Sequence, residues 1–545
     1  MPVTPTGAAG RGRSVPGGGL SALPGGSGPG ADWNRVTAAA ATARAGDPEA
    51  ESPGRPDSRS RFSPSSRFSR FSRASRCTPR RVHGCTSRRV IAVSEATTTD
   101  LYEVTMAMSY LREGMEQPAT FSLFVRDLPP ERGFLVAAGL EPSLAYLSRL
   151  RVGPDDVRDF AATLHRPVED LEGLLGMEFR GEVRAVPEGR LVFAGEPLLE
   201  VTAPLPQAQF VETYLLGQMC HQTVVASKAA RCVIAAAGRP VVDFSLRRTH
   251  GPQAGFQAAR VAAMVGFAGT SNVAAAAELG IPGSGTMAHS YVEAFPSEED
   301  AFRAFARAHP GPVTLLVDTY DTDLGVLAAA RVLADLREGA GGAIRLDSGD
   351  LGALAHRARA ILDRAGLPGV RIVASGGLDE YAVDELVRGG APIDVYAVGT
   401  RVGTAADAPY LDAAYKLVEY AGRPVMKLSS AKATAPAPKQ VFRGPGGRDV
   451  IGVNGEEPPD GGEPLLRTVM RGGRRTGPPD TLEAARARFE ADLASLPDTA
   501  RRIRGVRPPP RPVPSPRLAA VTAQTRHGIE AAVRRAFERS GAEPG

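Results

Sequence analysis

From about residue 97, apolar positions along the chain follow two rhythms. Leu101, Val104, Met108 and Leu111 recur at helical spacing and predict an amphipathic helix. Ala119–Val125 reads as a strand and Phe134–Leu150 as an apolar helix. From about 238 short apolar strands follow instead, each ending in a polar or glycine-rich turn. Arg239–Phe244 runs into Ser245–Arg248, Ile281–Gly283 into Ser284–His289, and Val313–Val317 into Asp318–Thr322. Ala343–Leu346 runs into Asp347–Asp350, Val370–Ala374 into Ser375–Asp379, and Val395–Val398 into Gly399–Gly403. Helical patterns lie between the later strands at Leu324–Glu338, Leu351–Ala365 and Asp379–Arg388, and Gly339, Gly366 and Gly389 follow them as stop signals. This is a βα repeat, which predicts a parallel α/β sheet or barrel. Helices at Thr481–Leu496 and Ala519–Glu538 flank a proline-rich crossing at Pro508–Pro516.

Residues 1–95 keep neither rhythm. They mix Gly, Pro, Ser and Arg and carry an irregular Arg-Phe-Ser repeat at Arg61, Arg67 and Arg70, so they predict an unfolded low-complexity extension. Such a segment suits contact with RNA or an acidic membrane, a mitochondrial or chloroplast transit peptide, a plain disordered tail, or an upstream stretch that is not translated. Charge follows the same division. The chain of 545 residues has a formal net charge of +5 and a pI near 9.1. The first 95 residues hold fifteen arginines, no lysine and six acids, a net +9, and the other 450 residues carry −4. A basic chain suggests an anionic macromolecular partner, but the folded part is mildly acidic, which argues against nucleic acid. Four cysteines are too few for a disulfide scaffold, and no apolar run is long enough to span a bilayer. A cytoplasmic protein is the expectation.

Candidate chemistry sits at the strand ends, where barrel enzymes collect it. Ser375, Gly376 and Gly377, with Gly399 and Thr400, occupy the last two turns. Small residues there let backbone N–H groups cradle a phosphate, or else form ordinary tight turns. Asp318, Asp321, Asp323, Asp347 and Asp350 could hold ribose hydroxyls or Mg²⁺; Asp323 and Asp350 also suit helix capping. Arg345, Arg247 and Arg248 at strand mouths suit carboxylate or phosphate recognition. His289 could be a general base, a metal ligand, a phosphoryl acceptor or a structural residue. Zinc spacings, a nucleophile elbow and a Walker A loop are absent from the sequence.

Taken in order, Thr99–Met106, Phe121–Leu128, Asp243–Arg248, Gly269–Asn272, Gly285–Ser290, Asp318–Asp321, Ile344–Asp350, Ser375–Asp379, Val398–Thr400 and Lys427–Ser429 resemble the nicotinate phosphoribosyltransferase family from about 97 to 540. The resemblance implies an irregular, TIM-like α/β barrel at 206–424. A second α/β domain would be assembled from 96–205 and 425–545. It implies that nicotinate and 5-phosphoribosyl 1-pyrophosphate give nicotinate mononucleotide and pyrophosphate, coupled to ATP hydrolysis, in NAD biosynthesis. It further implies Mg²⁺ and a homodimer with sites at the subunit interface. Carried over, His289 is the histidine phosphorylated by ATP, and Asp347 the acid near the ribose. Tyr102, from the partner subunit, and Phe244 sandwich the pyridine ring. Arg345 and Thr286 bind nicotinate or its surroundings, and Arg247 lies near the substrate phosphate. Ser375, Gly376, Gly377, Gly399 and Thr400 form the phosphate cradle. The rival readings are nicotinamide phosphoribosyltransferase on the same fold, the shorter quinolinate enzyme, and a non-catalytic metabolite- or RNA-binding descendant.

Overall fold

The computed structural model describes residues 94–336, 341–428 and 434–540. The Arg-Phe-Ser repeat, Cys77, Cys85, Gly339 and Ser429 lie outside the described residues.

Five strands precede the barrel: β1 (Pro118–Val125), β2 (Leu135–Val136), β3 (Glu182–Ala185), β4 (Leu191–Val192) and β5 (Pro197–Pro204). β1, β5 and β3 form the centre of a seven-stranded antiparallel sheet. Ala413–Tyr420 pairs with β1 on one side, and Arg467–Arg471 pairs with β3 on the other. This sheet therefore draws strands from both ends of the folded chain, and it takes 413–424 out of the span expected for the barrel. The packing explains that assignment. Phe121 on β1 stacks on Tyr415 at 4.8 Å, and the Tyr415 hydroxyl donates to the Ala208 carbonyl at 2.7 Å.

Parallel strands make the second layer: β6 (Val241–Asp243), β7 (Gly269–Thr270), β8 (Val313–Leu316), β9 (Gly342–Leu346), β10 (Arg371–Ala374) and β11 (Val395–Val398). Their order is β7-β6-β11-β10-β9-β8, a curled half barrel whose edges are β7 and β8. The expected strand Ile281–Gly283 contributes a single bridge, Gly283 to Thr270. Pro282 has no N–H to continue a ladder. Side chains lace the gap beyond it: Thr286 Oγ1 donates to the Thr314 carbonyl at 2.6 Å, and Arg345 Nη1 to the Met287 carbonyl at 3.2 Å.

Helices cover the strands much as the pattern predicts, at Thr322–Ala334, Leu351–Arg364 and Glu380–Arg388. The first is capped by Asp321 rather than Asp323: Asp321 accepts from Leu324 N at 2.9 Å, while Asp323 pairs with Arg357. Asp350 caps the second as expected, accepting from Ala353 N at 3.0 Å.

Two early predictions change. The helix expected at Phe134–Leu150 begins only at Leu140. Gly139 has φ +93°, and a Cβ there would lie 2.5 Å from the Gln218 carbonyl, so the chain before it is β2 and a turn. The helix Leu101–Arg112 forms, but it buries Glu103, Val104, Ala107 and Met108 and leaves Leu101 and Tyr102 each 44% exposed. Glu103 turns inward because it accepts from Thr213 N at 2.9 Å, Thr213 Oγ1 at 2.5 Å, and Thr99 Oγ1. It thereby satisfies the first turn of the helix Glu212–Ala235. No helix among the described residues is long and apolar enough to cross a membrane.

Candidate active site

The C-terminal ends of β6, β8, β9, β10 and β11 bring most of the expected residues together. β9 presents Arg345 and Asp347 two residues apart, hence on one face. Arg345 is buried, and each of its three guanidinium nitrogens makes one hydrogen bond, which leaves one N–H on each Nη. Nε donates to Ser375 Oγ at 2.7 Å, Nη2 to Asp347 Oδ1 at 2.6 Å and Nη1 to the Met287 carbonyl. Its Cζ lies 5.5 Å from the Phe244 ring centroid. Ser375 Oγ in turn donates to Asp347 Oδ1. Burial pushes the Asp347 carboxyl up, but the Ser375 hydrogen bond and Arg345 outweigh it and hold the group below its usual range. Asp347 is therefore an anion at neutral pH.

Asp318, at the end of β8, orients this group. Its Oδ2 accepts from Asp347 N at 2.9 Å and Ser348 Oγ at 2.6 Å, and its Oδ1 is buried without a hydrogen-bond partner among the described residues. His289 opens a short helix after the Gly285 turn. Its Nδ1 lies 3.2 Å from Thr319 Oγ1, and its Nε2 is 3.8 Å from Asp347 Oδ2, too far for a hydrogen bond. An Nδ1–H donating to Thr319 leaves the Nε2 lone pair free.

The glycine turns follow adjacent strands. Gly376 and Gly377 have φ of +92° and +66°, and a Cβ on Gly376 would sit 1.8 Å from the Asp347 carbonyl. Only glycine lets this turn lie so close to the one that follows β9. The N–H groups of Gly376 and Gly377 have no partner among the described residues. Ser375, expected in the same cradle, has both donors engaged: N–H to the Leu346 carbonyl and hydroxyl to Asp347. Gly399 packs against Phe244, whose carbonyl would lie 3.0 Å from a Cβ there, and Phe244 N donates to Val398 O at 2.7 Å.

Three expected residues stand apart from this cluster. Arg247 is exposed on the turn Leu246–Arg248. The hydroxyl of Thr286 is spent on the Thr314 carbonyl. Tyr102 has Glu212, Glu103 and Asp100 as its neighbours, and none of these belongs to the barrel mouth. Sequence reading assigned no role to Thr319 or Asp243, although both lie in segments that carry the resemblance. The Asp243 carboxylate accepts from Ser245 N at 2.9 Å and Thr270 Oγ1 at 2.7 Å, tying β6 to β7.

Two family models cover most of the folded chain. The nicotinate phosphoribosyltransferase N-terminal domain matches residues 97–219, and the nicotinate phosphoribosyltransferase family model matches 240–435. The chain belongs to the nicotinate phosphoribosyltransferase family.

A Mycobacterium tuberculosis protein of that name is 47% identical over 416 residues, covering 74% of this chain and 88% of the relative. The human nicotinate phosphoribosyltransferase is 32% identical over 74% of this chain and 92% of its own. The crystal structure of the human nicotinic acid enzyme superposes with a TM-score of 0.69 at 30% identity, covering 78% of this chain and 99% of that one. A nicotinate-nucleotide pyrophosphorylase from Pyrococcus furiosus shares the fold, with a TM-score of 0.63 at 24% identity over 75% of this chain and 99% of its own. The family assignment places the strand-end cluster in an enzyme of pyridine nucleotide synthesis.

Proposed function

We propose that this family member is a cytoplasmic enzyme that joins nicotinate to the ribosyl carbon of 5-phosphoribosyl 1-pyrophosphate, releasing pyrophosphate, in the salvage of nicotinate for NAD. The observation that carries the reading is the Arg345–Asp347–Ser375 triangle between Phe244 and the Gly376–Gly377 turn. It places a fixed cation, a fixed anion and free backbone donors at one strand mouth. The pyridine nitrogen is itself the nucleophile: its lone pair forms the bond to ribose C1 as the bond to the pyrophosphate oxygen breaks. The site therefore needs no general base. Its work is orientation and stabilisation of a ribosyl centre that becomes cationic, which the Asp347 carboxylate suits. Arg345 is the recognition group for the nicotinate carboxylate, Phe244 a wall for the ring, and the Gly376 and Gly377 N–H groups donors to the 5-phosphate.

Mg²⁺ fits the residues present. The ion takes one or two carboxylates and fills its shell with water and substrate phosphates. The unpartnered Asp318 Oδ1 is such a carboxylate, and no group of three or more candidate ligands exists among the described residues. When bound it would neutralise the leaving pyrophosphate. We also place ATP at His289: Nε2 accepts the terminal phosphoryl group, ADP leaves, and the phosphohistidine is later hydrolysed. The reading includes a homodimer in which the partner's Tyr102 covers the second face of the pyridine ring. The exposed position of Tyr102 supports it. Initial rates with nicotinate, nicotinamide and quinolinate test the substrate. His289→Ala tests the coupling: it should retain transfer and lose stimulation by ATP, and full stimulation in that variant removes the phosphohistidine.

A further inference from the structure

The two phosphate loops leave neighbouring strands, and charged residues follow each. Ser375–Leu378 leads into Asp379 and Glu380, and Gly399–Thr400 into Arg401 and Asp407. Glycines bring each loop against a different neighbour, Gly376 against the Asp347 carbonyl and Gly399 against the Phe244 carbonyl, but supply no side chain to set the distance between the two loops. Two tiers of ion pairs do. In the outer tier Asp379 caps the helix Glu380–Arg388, its Oδ1 accepting from Tyr381 N and Ala382 N at 3.1 Å. Its Oδ2 accepts from Arg401 Nη1 at 3.0 Å, across to the other loop. In the inner tier Lys228 Nζ lies 2.5 Å from Glu380 Oε2 and 2.8 Å from Asp407 Oδ1. Arg132 repeats the bridge, 3.5 Å from Glu380 Oε1 and 2.7 Å from Asp407 Oδ2. Arg231, one turn from Lys228 on the helix Glu212–Ala235, donates to Glu380 Oε1 at 3.0 Å and to the carbonyls of Arg502 and Ile503.

Lys228 and Glu380 are 1% and 0% exposed. Burying such groups carries a large desolvation cost, and apolar side chains would fill the same space more favourably. Stability alone therefore does not account for a cluster placed where both loops are rooted.

We propose that this double clamp, Asp379–Arg401 outside and Glu380–Lys228/Arg132–Asp407 inside, is a positioning device that fixes the spacing of the two loops and so sets affinity for the phosphate end of the phosphoribosyl donor. It rests on the phosphoribosyl-transfer reading above. None of the six residues touches the reacting atoms. The alternative is that Arg401 contacts the phosphate directly, and Asp379→Asn separates the two. The asparagine keeps the capping oxygen and removes the charge. A direct role leaves Arg401 freer to bind phosphate, whereas a clamp is broken.

The test uses the full chain: pyrophosphate release with donor and nicotinate varied in turn, and donor binding by calorimetry. The proteins are wild type, Asp379→Asn, Arg401→Met and the double variant. The clamp predicts that each single variant raises the donor KM and Kd about three- to tenfold, leaves kcat and the nicotinate KM within about twofold, and that the double is no worse than the worse single. Lys228→Met takes one of three cations from the buried Glu380 carboxylate, so thermal denaturation reads its folding first, and the outer variants keep the test independent of it. Unchanged donor affinity in Asp379→Asn beside a loss in Arg401→Met overturns the clamp, as do additive losses in the double or no loss in either single. A wild-type chain that releases no pyrophosphate contradicts the function instead, and calorimetry still reads the clamp.

Discussion

Arg345 makes three hydrogen bonds in three directions and lies over an aromatic ring, a set that only a planar five-donor cation can make at once. Lysine at this position keeps the charge and loses the fork. Arg345→Lys is expected to lower kcat/KM for nicotinate about a hundredfold, or about 2.7 kcal/mol, with less effect on thermal stability, by initial rates and thermal denaturation. Glu103 supports a second prediction. Burial pushes its carboxyl up to about 7 against the pull of the Thr213 and Thr99 donors. A carboxyl raised on folding lends stability below its unfolded value, near 4.5, and that stability is lost as pH rises through about 7. Between pH 5 and 8 the Tm of wild type should fall relative to Glu103→Gln, and a constant difference would exclude a raised Glu103. At this scale Arg345, Asp347 and the glycine turns were legible because position at a strand end is visible in the apolar pattern. The orienting roles of Asp318 and Thr319 were not. Their partners, Asp347 and His289, lie 29 and 30 residues away along the chain.

Adjacent glycines in one turn differ by what their backbones touch. Gly376 combines φ +92° with a virtual Cβ 1.8 Å from the Asp347 carbonyl, while Gly377 has φ +66° and nothing within 4 Å. Gly376→Ala should therefore force β9 and β10 apart, destabilising the fold by about 3 kcal/mol or more and abolishing donor binding. Gly377→Ala should cost about 1 kcal/mol, the ordinary penalty of a left-handed alanine. Chemical denaturation of both variants measures the contrast. Elements with a clean period, such as Leu351–Arg364 and β11, were readable to within a residue. Those that failed depend on what packs beside them. Gly139 abuts Gln218, so a run that looked helical begins as a strand. Pro282 limits an apolar run to one bridge, and a side-chain bond from Thr286 spans the gap instead.

The whole molecule joins a half barrel to an antiparallel sheet drawn from both ends of the folded chain. The βα repeat made the first legible, whereas long-range pairings such as Thr468 with Arg184 have no local signature. The net −4 of residues 96–545 is compatible with the proposed anionic substrates because one buried arginine, Arg345, and free backbone donors, not the overall field, line the candidate site. The family match begins at residue 97, so a chain starting at Ser94 is expected to keep the Tm and kcat/KM of the full chain within error. Product analysis by chromatography tests the central claim most directly, with nicotinate and 5-phosphoribosyl 1-pyrophosphate supplied with and without ATP. Nicotinate mononucleotide and pyrophosphate are expected in equal amounts, with ATP raising the yield. No mononucleotide from nicotinate, or product only from nicotinamide or quinolinate, would contradict it.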